Sequence, residues 1–212
     1  LIMELKIIKQ FGPSVVKVKI PEKILNDLNQ YINQTISDRE KSKSIDLGKK
    51  LVGDVTQEFN IEPKFAEEIG WIKFLAACVH EWIRIETKIK IKNFTLKNTW
   101  VVRQYKNEYN PVHWHSGHIS GAGFLKVPDT FGKHVQDKGD KEYFGGTLNL
   151  IHGTRQFMSN SKLKIIPEVG DFYIFPHYLM HTVYPFKGSD QERRSISFNA
   201  NIDEEVFNVY GS

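Results

Sequence analysis

The start of the chain alternates apolar and charged residues and is rich in valine and isoleucine. Two such stretches, Glu4 to Ile8 and Ser14 to Ile20, are separated by Gly12 and Pro13. Successive side chains of a strand point to opposite faces, so this alternation is typical of a strand with one buried face. The pattern predicts two short strands at a sheet edge, with a turn at the glycine and proline.

Two later segments carry apolar residues at helical spacing. Behind Pro21, the segment 22–32 predicts a helix that begins at the proline. The same spacing from Phe65 to about Lys90 predicts one long amphipathic helix. Residues 37–58 are polar, with several serines and lysines. We expect a mobile loop there, with at most a helical turn near Val52, and it is a candidate lid or partner contact.

Beyond residue 93 the apolar residues occur in short runs separated by glycine, proline, asparagine and aspartate. Short strands at such spacing are typical of an antiparallel sandwich or barrel, and the amphipathic helices need a sheet to pack on. We therefore predict a mainly β fold, a jelly roll with flanking helices. We expect a single domain over 1–212, with edge strands and supporting helices in 1–93 and the core in 94–202.

Composition narrows the class of protein. Of 212 residues, 40% are hydrophobic and 25% charged, which is ordinary for a globular chain and argues against disorder. The net charge is +4, but basic and acidic residues are interspersed, so we do not expect a nucleic-acid partner. The single Cys78 cannot form an internal disulfide, which fits a reducing compartment. No segment predicts a membrane span, and the first residues lack a secretory pattern.

Histidines carry the candidate chemistry. His113 and His115 flank Trp114, and on an extended strand their side chains point the same way, toward one ion. His181 follows far downstream at a predicted strand end and would complete a metal-binding face. Arg193 comes shortly after, where we expect a neighbouring antiparallel strand. Three imidazoles and a fixed cation together predict a metal site with an anionic co-substrate.

The strand that begins at Arg193 has two unlike faces. Its alternation places one polar set of side chains on one face, namely Arg193, Ser195, Ser197 and Asn199, and Arg194, Ile196 and Phe198 on the other. An inward arginine must be paired, because an isolated buried charge is costly. A dicarboxylate would supply that partner through a bidentate contact. The alternative is a structural ion pair with Glu192 or Asp190.

Several motifs in order resemble a known family. They are His113-Trp114-His115, Ser120-Gly121-Ala122-Gly123-Phe124-Leu125, Gly170-Asp171-Phe172-Tyr173-Ile174-Phe175-Pro176, His181, Val183, Pro185 and Arg193-Arg194-Ser195. Over roughly residues 95–202 the chain resembles the 2-oxoglutarate- and iron(II)-dependent oxygenases, whose core is a double-stranded β-helix. More narrowly, it resembles a group of small oxygenases of bacteria and phages.

The resemblance implies roles for named residues. His113, His115 and His181 would bind iron(II), while Arg193 and Ser195 would bind the far carboxylate of 2-oxoglutarate. Further polar contacts to this cofactor are expected from Tyr105 and Asn149. The implied reaction is hydroxylation of a peptide, a small metabolite or a nucleobase, with 2-oxoglutarate decarboxylated to succinate. The implied location is the cytoplasm, that of the host cell if the chain is phage-encoded.

Position 115 departs from the family pattern, because a histidine stands where the family has a carboxylate. Zinc also accepts three histidines. A second alignment starts the motif at His115 and leaves the carboxylate position without a protein ligand. In another alternative, a carboxylate from a loop supplies the missing negative charge, and the candidates are Asp129, Asp137 and Asp140.

Two further functions remain open from the sequence. A cupin-like binding module would hold a divalent ion without oxygen chemistry and would not need Arg193. A structural jelly roll would keep the fold without activity. Other histidines are expected to be structural or exposed, and His118 and His177, which flank the ligand motifs, are the better placed of them; the rest are His80, His134 and His152.

Overall fold

The computed structural model describes residues 5–8 and 12–208. Its helices are α1 (Glu22–Ser37), α2 (Arg39–Ser44), α3 (Pro63–Glu68), α4 (Trp71–Thr87) and α5 (Glu204–Phe207). Its strands are β1 (Lys6–Ile8), β2 (Val15–Lys19), β3 (Gln57–Asn60), β4 (Phe94–Gln104), β5 (Asn110–His113), β6 (Ile119–Lys126), β7 (Leu148–Ile151), β8 (Lys162–Ile165), β9 (Asp171–Pro176), β10 (Met180–Val183) and β11 (Arg193–Ile202).

The strands form two antiparallel sheets. The larger sheet has seven strands in the order β1-β2-β9-β6-β11-β4-β3, and the smaller has four in the order β5-β10-β7-β8. Neighbours in space are mostly distant in sequence, as a jelly roll requires. The predicted mainly β fold with a jelly-roll core is confirmed.

The helices cover the outer face of the larger sheet. Leu28 and Ile32 of α1 and Leu75 and Val79 of α4 are fully buried, in one cluster with outward side chains of the sheet such as Phe198. These helical residues recur at spacings of four, so each helix presents one apolar stripe to the strands. The amphipathic pattern of the sequence is thereby explained.

A second apolar cluster lies between the two sheets. Phe124, Tyr173 and Phe175 of the larger sheet pack there with Leu148 and Leu150 of the smaller sheet. The alternation of side chains along each strand sends neighbouring residues into different clusters, so that Phe172 and Ile174 join the helices instead. Beside this inner cluster the two sheets leave the polar cavity that holds the candidate site.

The predicted long helix from Phe65 to Lys90 is wrong in one respect, because it is two helices. Gly70 separates α3 from α4 with a φ of 79°, a left-handed conformation that interrupts helical geometry. Helical spacing survives the break, since both helices pack on the same sheet. The pattern alone therefore concealed the interruption.

The prediction of a loop over 37–58 is also partly wrong. Asp38 accepts hydrogen bonds from the backbone N–H groups of Glu40 and Lys41, at 3.1 and 3.0 Å, and so caps α2. The end of the range belongs to β3, and a non-helical turn occupies 48–50 near the expected helical turn. Only the central part, 45–56, has the irregular backbone that was expected.

The first predicted strand is observed as β1 and the second as β2, and they pair with each other. Glu4 and the residues before it lie outside the described residues, as do 9–11. None of the described helices has the length and apolar character needed to cross a membrane.

Candidate metal and cofactor site

Three histidine side chains come together at the β5 edge of the smaller sheet. One ring nitrogen from each of His113, His115 and His181 lies within 4.8 Å of the other two. The Nε2 atoms of His115 and His181 are 3.0 Å apart. Three neutral nitrogens at such separations are a donor set for one divalent ion.

The backbone fixes which nitrogen of two rings faces the centre. The Nδ1–H of His113 donates to the carbonyl of Pro111 at 2.8 Å, and that of His181 to the carbonyl of Leu179 at 2.9 Å. The proton is then on Nδ1, which leaves the Nε2 lone pair for a metal. This arrangement of the outer nitrogens is the one found around metal-bound histidines.

Strand pairing brings the three residues together. His113 ends β5 and lies opposite His181 of β10 in the antiparallel register. His115 follows β5, and its backbone is held on both sides by His177. The N–H of His115 donates to the His177 carbonyl at 3.1 Å, and Nδ1 of His177 donates to the His115 carbonyl at 2.9 Å. His177 therefore supports the site without belonging to the ligand cluster.

Burial keeps the cluster neutral. Burial lowers the pKa of His113, and it lowers that of His115 to about 4, with a smaller effect from the two neighbouring imidazoles His113 and His177. Burial also places the pKa of His181 well below its usual value, and His113 and His115 add to the effect. Neutral imidazole is the form that binds a metal.

Arg193 lies in the same cavity and is 1% exposed. Its Nε–H donates to the Gly146 carbonyl at 3.0 Å and one terminal nitrogen donates to the Ser195 hydroxyl at 3.3 Å, while the guanidinium lies over the Phe124 ring. Burial lowers its pKa to about 9. Among the carboxylates that the structure describes, none forms an ion pair with this side chain.

The alternative partners of Arg193 are engaged elsewhere. Glu192 pairs with Arg103 and with Arg194, each at 2.8 Å. Asp190 pairs with Lys106 at 3.3 Å. A buried guanidinium that has no carboxylate partner, and that has further N–H groups to donate, can bind the carboxylate of a ligand.

A cavity of about 270 Å³ connects the histidines with the arginine. Its wall on the larger sheet includes alternate residues of β11 and their neighbours on β4 and β6, namely Arg193, Ser195, Ser197, Asn199, Asn98, Trp100, Val102, Gly121, Ala122 and Phe124. The predicted polar face of the last strand does line the cavity. The sequence predicts Arg193 on a strand that neighbours the strand of His181. Instead, Arg193 lies on β11 of the larger sheet, which faces the histidines.

Two predicted cofactor contacts are not among the residues that line this cavity. The Tyr105 hydroxyl accepts a hydrogen bond from Arg103 at 2.6 Å, on the side of β4 that carries the Glu192 ion pairs. Asn149 lies opposite Thr182, whereas its neighbour Leu148 lines the cavity. Both side chains are one residue out of phase with the cavity face.

The loop carboxylates do not join the histidine cluster. Asp129 accepts a hydrogen bond from Gln191 at 2.7 Å, and Asp137 accepts one from Gly139 at 2.8 Å. Neither they nor Asp140 line the cavity. His118 is also bound elsewhere: its Nδ1 accepts the Ile202 N–H at 3.1 Å. The remaining histidines are absent from the cluster and from the cavity wall; they are His80, His134 and His152.

The cavity wall also includes residues to which sequence reasoning gave no site role by name. Glu58 of β3 lines it, together with Lys50, Leu51 and Val52 of the preceding segment, and so does Asn110 of β5. The predicted lid segment therefore does contact the cavity. The signal for Glu58 was weak, because a glutamate in a polar stretch normally faces solvent.

A family model described as "Putative 2OG-Fe(II) oxygenase" matches residues 98–199. This range runs from the middle of β4 almost to the end of β11 and contains His113, His115, His181, Arg193 and Ser195. No curated protein matches the chain in sequence.

Three solved structures share the fold. A collagen prolyl hydroxylase from Paramecium bursaria Chlorella virus-1, in complex with 2-oxoglutarate, has a TM-score of 0.55 at 15% identity, over 88% of this chain and 94% of that one. A prolyl-4-hydroxylase of Pseudomonas putida has a TM-score of 0.54 at 12% identity, over 87% and 91%. The α-ketoglutarate-dependent epimerase SnoN of nogalamycin biosynthesis has a TM-score of 0.57 at 10% identity, over 87% and 74%.

Proposed function

We propose that this chain is a 2-oxoglutarate- and iron(II)-dependent oxygenase, as the family-model match over residues 98–199 indicates, and that it hydroxylates its substrate in the cavity between the three histidines and Arg193. The observation that carries the proposal is a buried guanidinium without a carboxylate partner, in the same cavity as three convergent imidazoles. A metal centre by itself would not require that cation. A metal centre that holds a dicarboxylate does.

The three histidines are the proposed ligands of iron(II), a cofactor of this family. His113 and His181 present Nε2 because their Nδ1 protons are held by backbone carbonyls. His115 takes the position that a carboxylate has in the family pattern. A face of three imidazoles is neutral, so it leaves the full charge of the ion to be balanced by the other cofactor and by the cavity.

Arg193 and Ser195 are the proposed site for the far carboxylate of 2-oxoglutarate. They lie two residues apart on one face of β11, and the Ser195 hydroxyl is already 3.3 Å from the guanidinium. The pair can therefore bind the same carboxylate without rearrangement. The ring of Phe124 below the guanidinium shields that ion pair from water.

When bound, iron(II) and 2-oxoglutarate would supply oxidising chemistry with dioxygen as the oxidant: one oxygen atom enters succinate as 2-oxoglutarate loses carbon dioxide, and the other enters the substrate as a hydroxyl group. The chain orients both reactants and limits the access of water. The segment 45–56 contributes Lys50, Leu51 and Val52 to the cavity wall. These residues are the proposed cover over the substrate.

The proposed substrate is a peptide side chain or a small molecule. Two of the structurally similar proteins are named as prolyl hydroxylases and one as an epimerase. The proposed location is the cytoplasm, because a chain with one cysteine has no internal disulfide to gain from an oxidising compartment.

The test is anaerobic titration of the iron(II)-loaded protein with 2-oxoglutarate, followed by the visible charge-transfer absorption that chelation produces. We expect this band in the wild type. Arg193→Gln should raise the dissociation constant of 2-oxoglutarate roughly 10- to 100-fold, the worth of one hydrogen-bonded charge. It should leave iron(II) affinity unchanged. His115→Ala should weaken iron(II) itself.

Arg84→Gln is the matched control, because Arg84 pairs with Glu81 on an exposed face of α4, remote from the cavity. It should behave as the wild type. Equal 2-oxoglutarate affinity in the Arg193 variant would refute the role of the guanidinium. If the band forms but succinate never accumulates in air, the chain is a metal-binding module and not an oxygenase.

A further inference from the structure

Glu58 is a buried carboxyl group in the wall of the cavity. It is 2% exposed and lies on β3, opposite Val102 of β4, which in turn lies opposite Ser195 of β11. The three side chains thus share one face of the larger sheet. With adjacent strands about 4.8 Å apart, Glu58 is roughly 10 Å along the sheet from Ser195.

The carboxyl group has an oxygen without a partner. Oε2 of Glu58 is buried and accepts no hydrogen bond from any described residue. Nor does a described lysine, arginine or histidine form an ion pair with it, although Lys50 lines the same cavity. Oε1 lies close to Gly53, where an added Cβ would come within 3.0 Å of it. The neighbouring backbone is therefore packed tightly against this group.

Such a group is costly to keep. Burial raises the pKa of Glu58 to about 7, and the carboxylate of Asp46 adds to the effect. The other charged or titratable groups in the cavity wall are Lys50, Arg193 and the three histidines. Arg193 is on β11, two strands away, and the histidines are on the opposite sheet. Nothing in the fold itself repays the burial of this carboxyl group.

We propose that Glu58 anchors the substrate by binding a cationic nitrogen, a primary ammonium or a guanidinium group. The proposal rests on the function proposed above and assigns its substrate class. The two buried charges then divide the cavity. Arg193 binds the anionic cofactor at one end, and Glu58 binds a basic substrate near the segment 45–56.

A cation is the best complement for chemical reasons. A carboxylate shielded from water gains most from a partner that brings both a donor and an opposite charge. The amide of Asn110, which lines the same region, and the exposed amine of Lys50 leave the carboxyl oxygen without a hydrogen bond. Trp100 and Trp114 also line the cavity, and an aromatic ring can contact the same cation.

The test uses pairs of probes in which the cationic nitrogen group is either replaced by a neutral group or removed. Calorimetry would compare Nα-acetyl-L-arginine amide with its citrulline analogue and Nα-acetyl-L-lysine amide with its norleucine analogue. Each titration is run on the protein alone and again with 2-oxoglutarate and zinc(II), which takes the place of iron(II). In the wild type, at least one cationic probe should bind roughly tenfold or more tightly than its neutral analogue.

Glu58→Gln should abolish that preference while it keeps the volume of the side chain. Asp46→Asn is the matched control, since it removes a nearby carboxylate that is absent from the cavity wall. This variant should retain the preference. If neither cationic probe is preferred by the wild type, or if the preference survives in Glu58→Gln, the proposal is wrong.

The two proposals fail separately. Glu58→Gln should bind 2-oxoglutarate as the wild type does, whereas Arg193→Gln should lose 2-oxoglutarate and keep the preference for cations. A wild type that ignores 2-oxoglutarate but still selects the cationic probe would overturn the proposed oxygenase function alone. If Glu58→Gln folds poorly, the wild-type comparison still tests the proposal, because the absence of a cationic preference there refutes it without any variant.

Discussion

At the scale of single residues, the cavity wall contains two buried ionisable side chains that make no stabilising ion pair with the described residues. Arg193 and Glu58 are 1% and 2% exposed, and the described residues provide no ion pair for either. Buried charges of this kind destabilise a protein unless a ligand completes them. Their presence in one cavity is the physical reason to assign the cavity a function.

Glu58 makes stability depend on pH. Its pKa is raised from the ordinary 4.5 to about 7 in the folded chain, so the folded state holds a proton that the unfolded state releases. The contribution of Glu58 to stability should therefore fall as pH rises from about 4.5 through 7 and level off above, whereas the buried histidines, with lowered pKa values, contribute in the opposite direction. Glu58→Gln should raise the unfolding free energy at pH 8 by roughly 2 to 3 kcal/mol and change it little at pH 4.5.

Urea denaturation at the two pH values measures this effect. Asp46→Asn, which leaves Glu58 in place, should give a smaller change at pH 8. A stabilisation by Glu58→Gln that is the same at both pH values would show that ionisation of this carboxyl group is not the cause.

At the scale of elements, short breaks determine how the helices reach the sheet. Gly70 separates α3 from α4 with a φ of 79°, a left-handed conformation that a continuous helix does not contain. The segment 45–56 similarly separates α2 from β3 and brings Lys50 to the cavity. Both features sit where the sequence pattern predicted something simpler.

Gly70→Ala tests the first break. A Cβ at this position would meet nothing within 4 Å, so the cost arises from the left-handed backbone alone. We expect a loss of about 1 kcal/mol in unfolding free energy, measured by urea denaturation. Gly12→Ala, where no left-handed φ is found and an added Cβ would make only an ordinary contact at 3.7 Å, should cost less than about 0.5 kcal/mol. Equal costs would argue against backbone strain at Gly70.

At the scale of the whole molecule, we propose that residues 1–93 and 94–202 unfold as one domain. The buried cluster supports this proposal because it contains Leu75 and Val79 of α4 together with Ile196 and Phe198 of β11. A helix whose apolar stripe is buried against the sheet has no separate hydrophobic core, so it is not expected to stay folded when the sheet unfolds.

Leu75→Ala tests the proposal. Leu75 is fully buried, so the variant should lose about 2 to 5 kcal/mol of unfolding free energy. Circular dichroism of the helices and tryptophan fluorescence should shift together to lower urea. Lys73→Ala, on the exposed side of α4, is the control and should leave both curves in place. Two separated transitions would mean that the helical part unfolds independently.

Much of the site is local in origin and could be predicted. The His113-Trp114-His115 spacing puts two imidazoles together on an extended backbone, and alternation puts Arg193 and Ser195 on one face. The same alternation does not place Tyr105 and Asn149 in the cavity wall. Each is one residue out of phase with the positions that line the cavity, and a shift of one residue moves a strand side chain to the opposite face. Their phase depends on the exact register, which the sequence did not specify.

By itself, then, the sequence determined the residue types, their alternation and the class of fold, since these depend on neighbours along the chain. Only the tertiary structure decided that Arg193 faces the histidines from the opposite sheet, and that Glu58 is buried in the wall of the same cavity. Both facts follow from strands that pair across long sequence separations. The polarity of a residue cannot reveal such neighbours, because the energetic cost of a buried charge exists only after the sheets have closed around it.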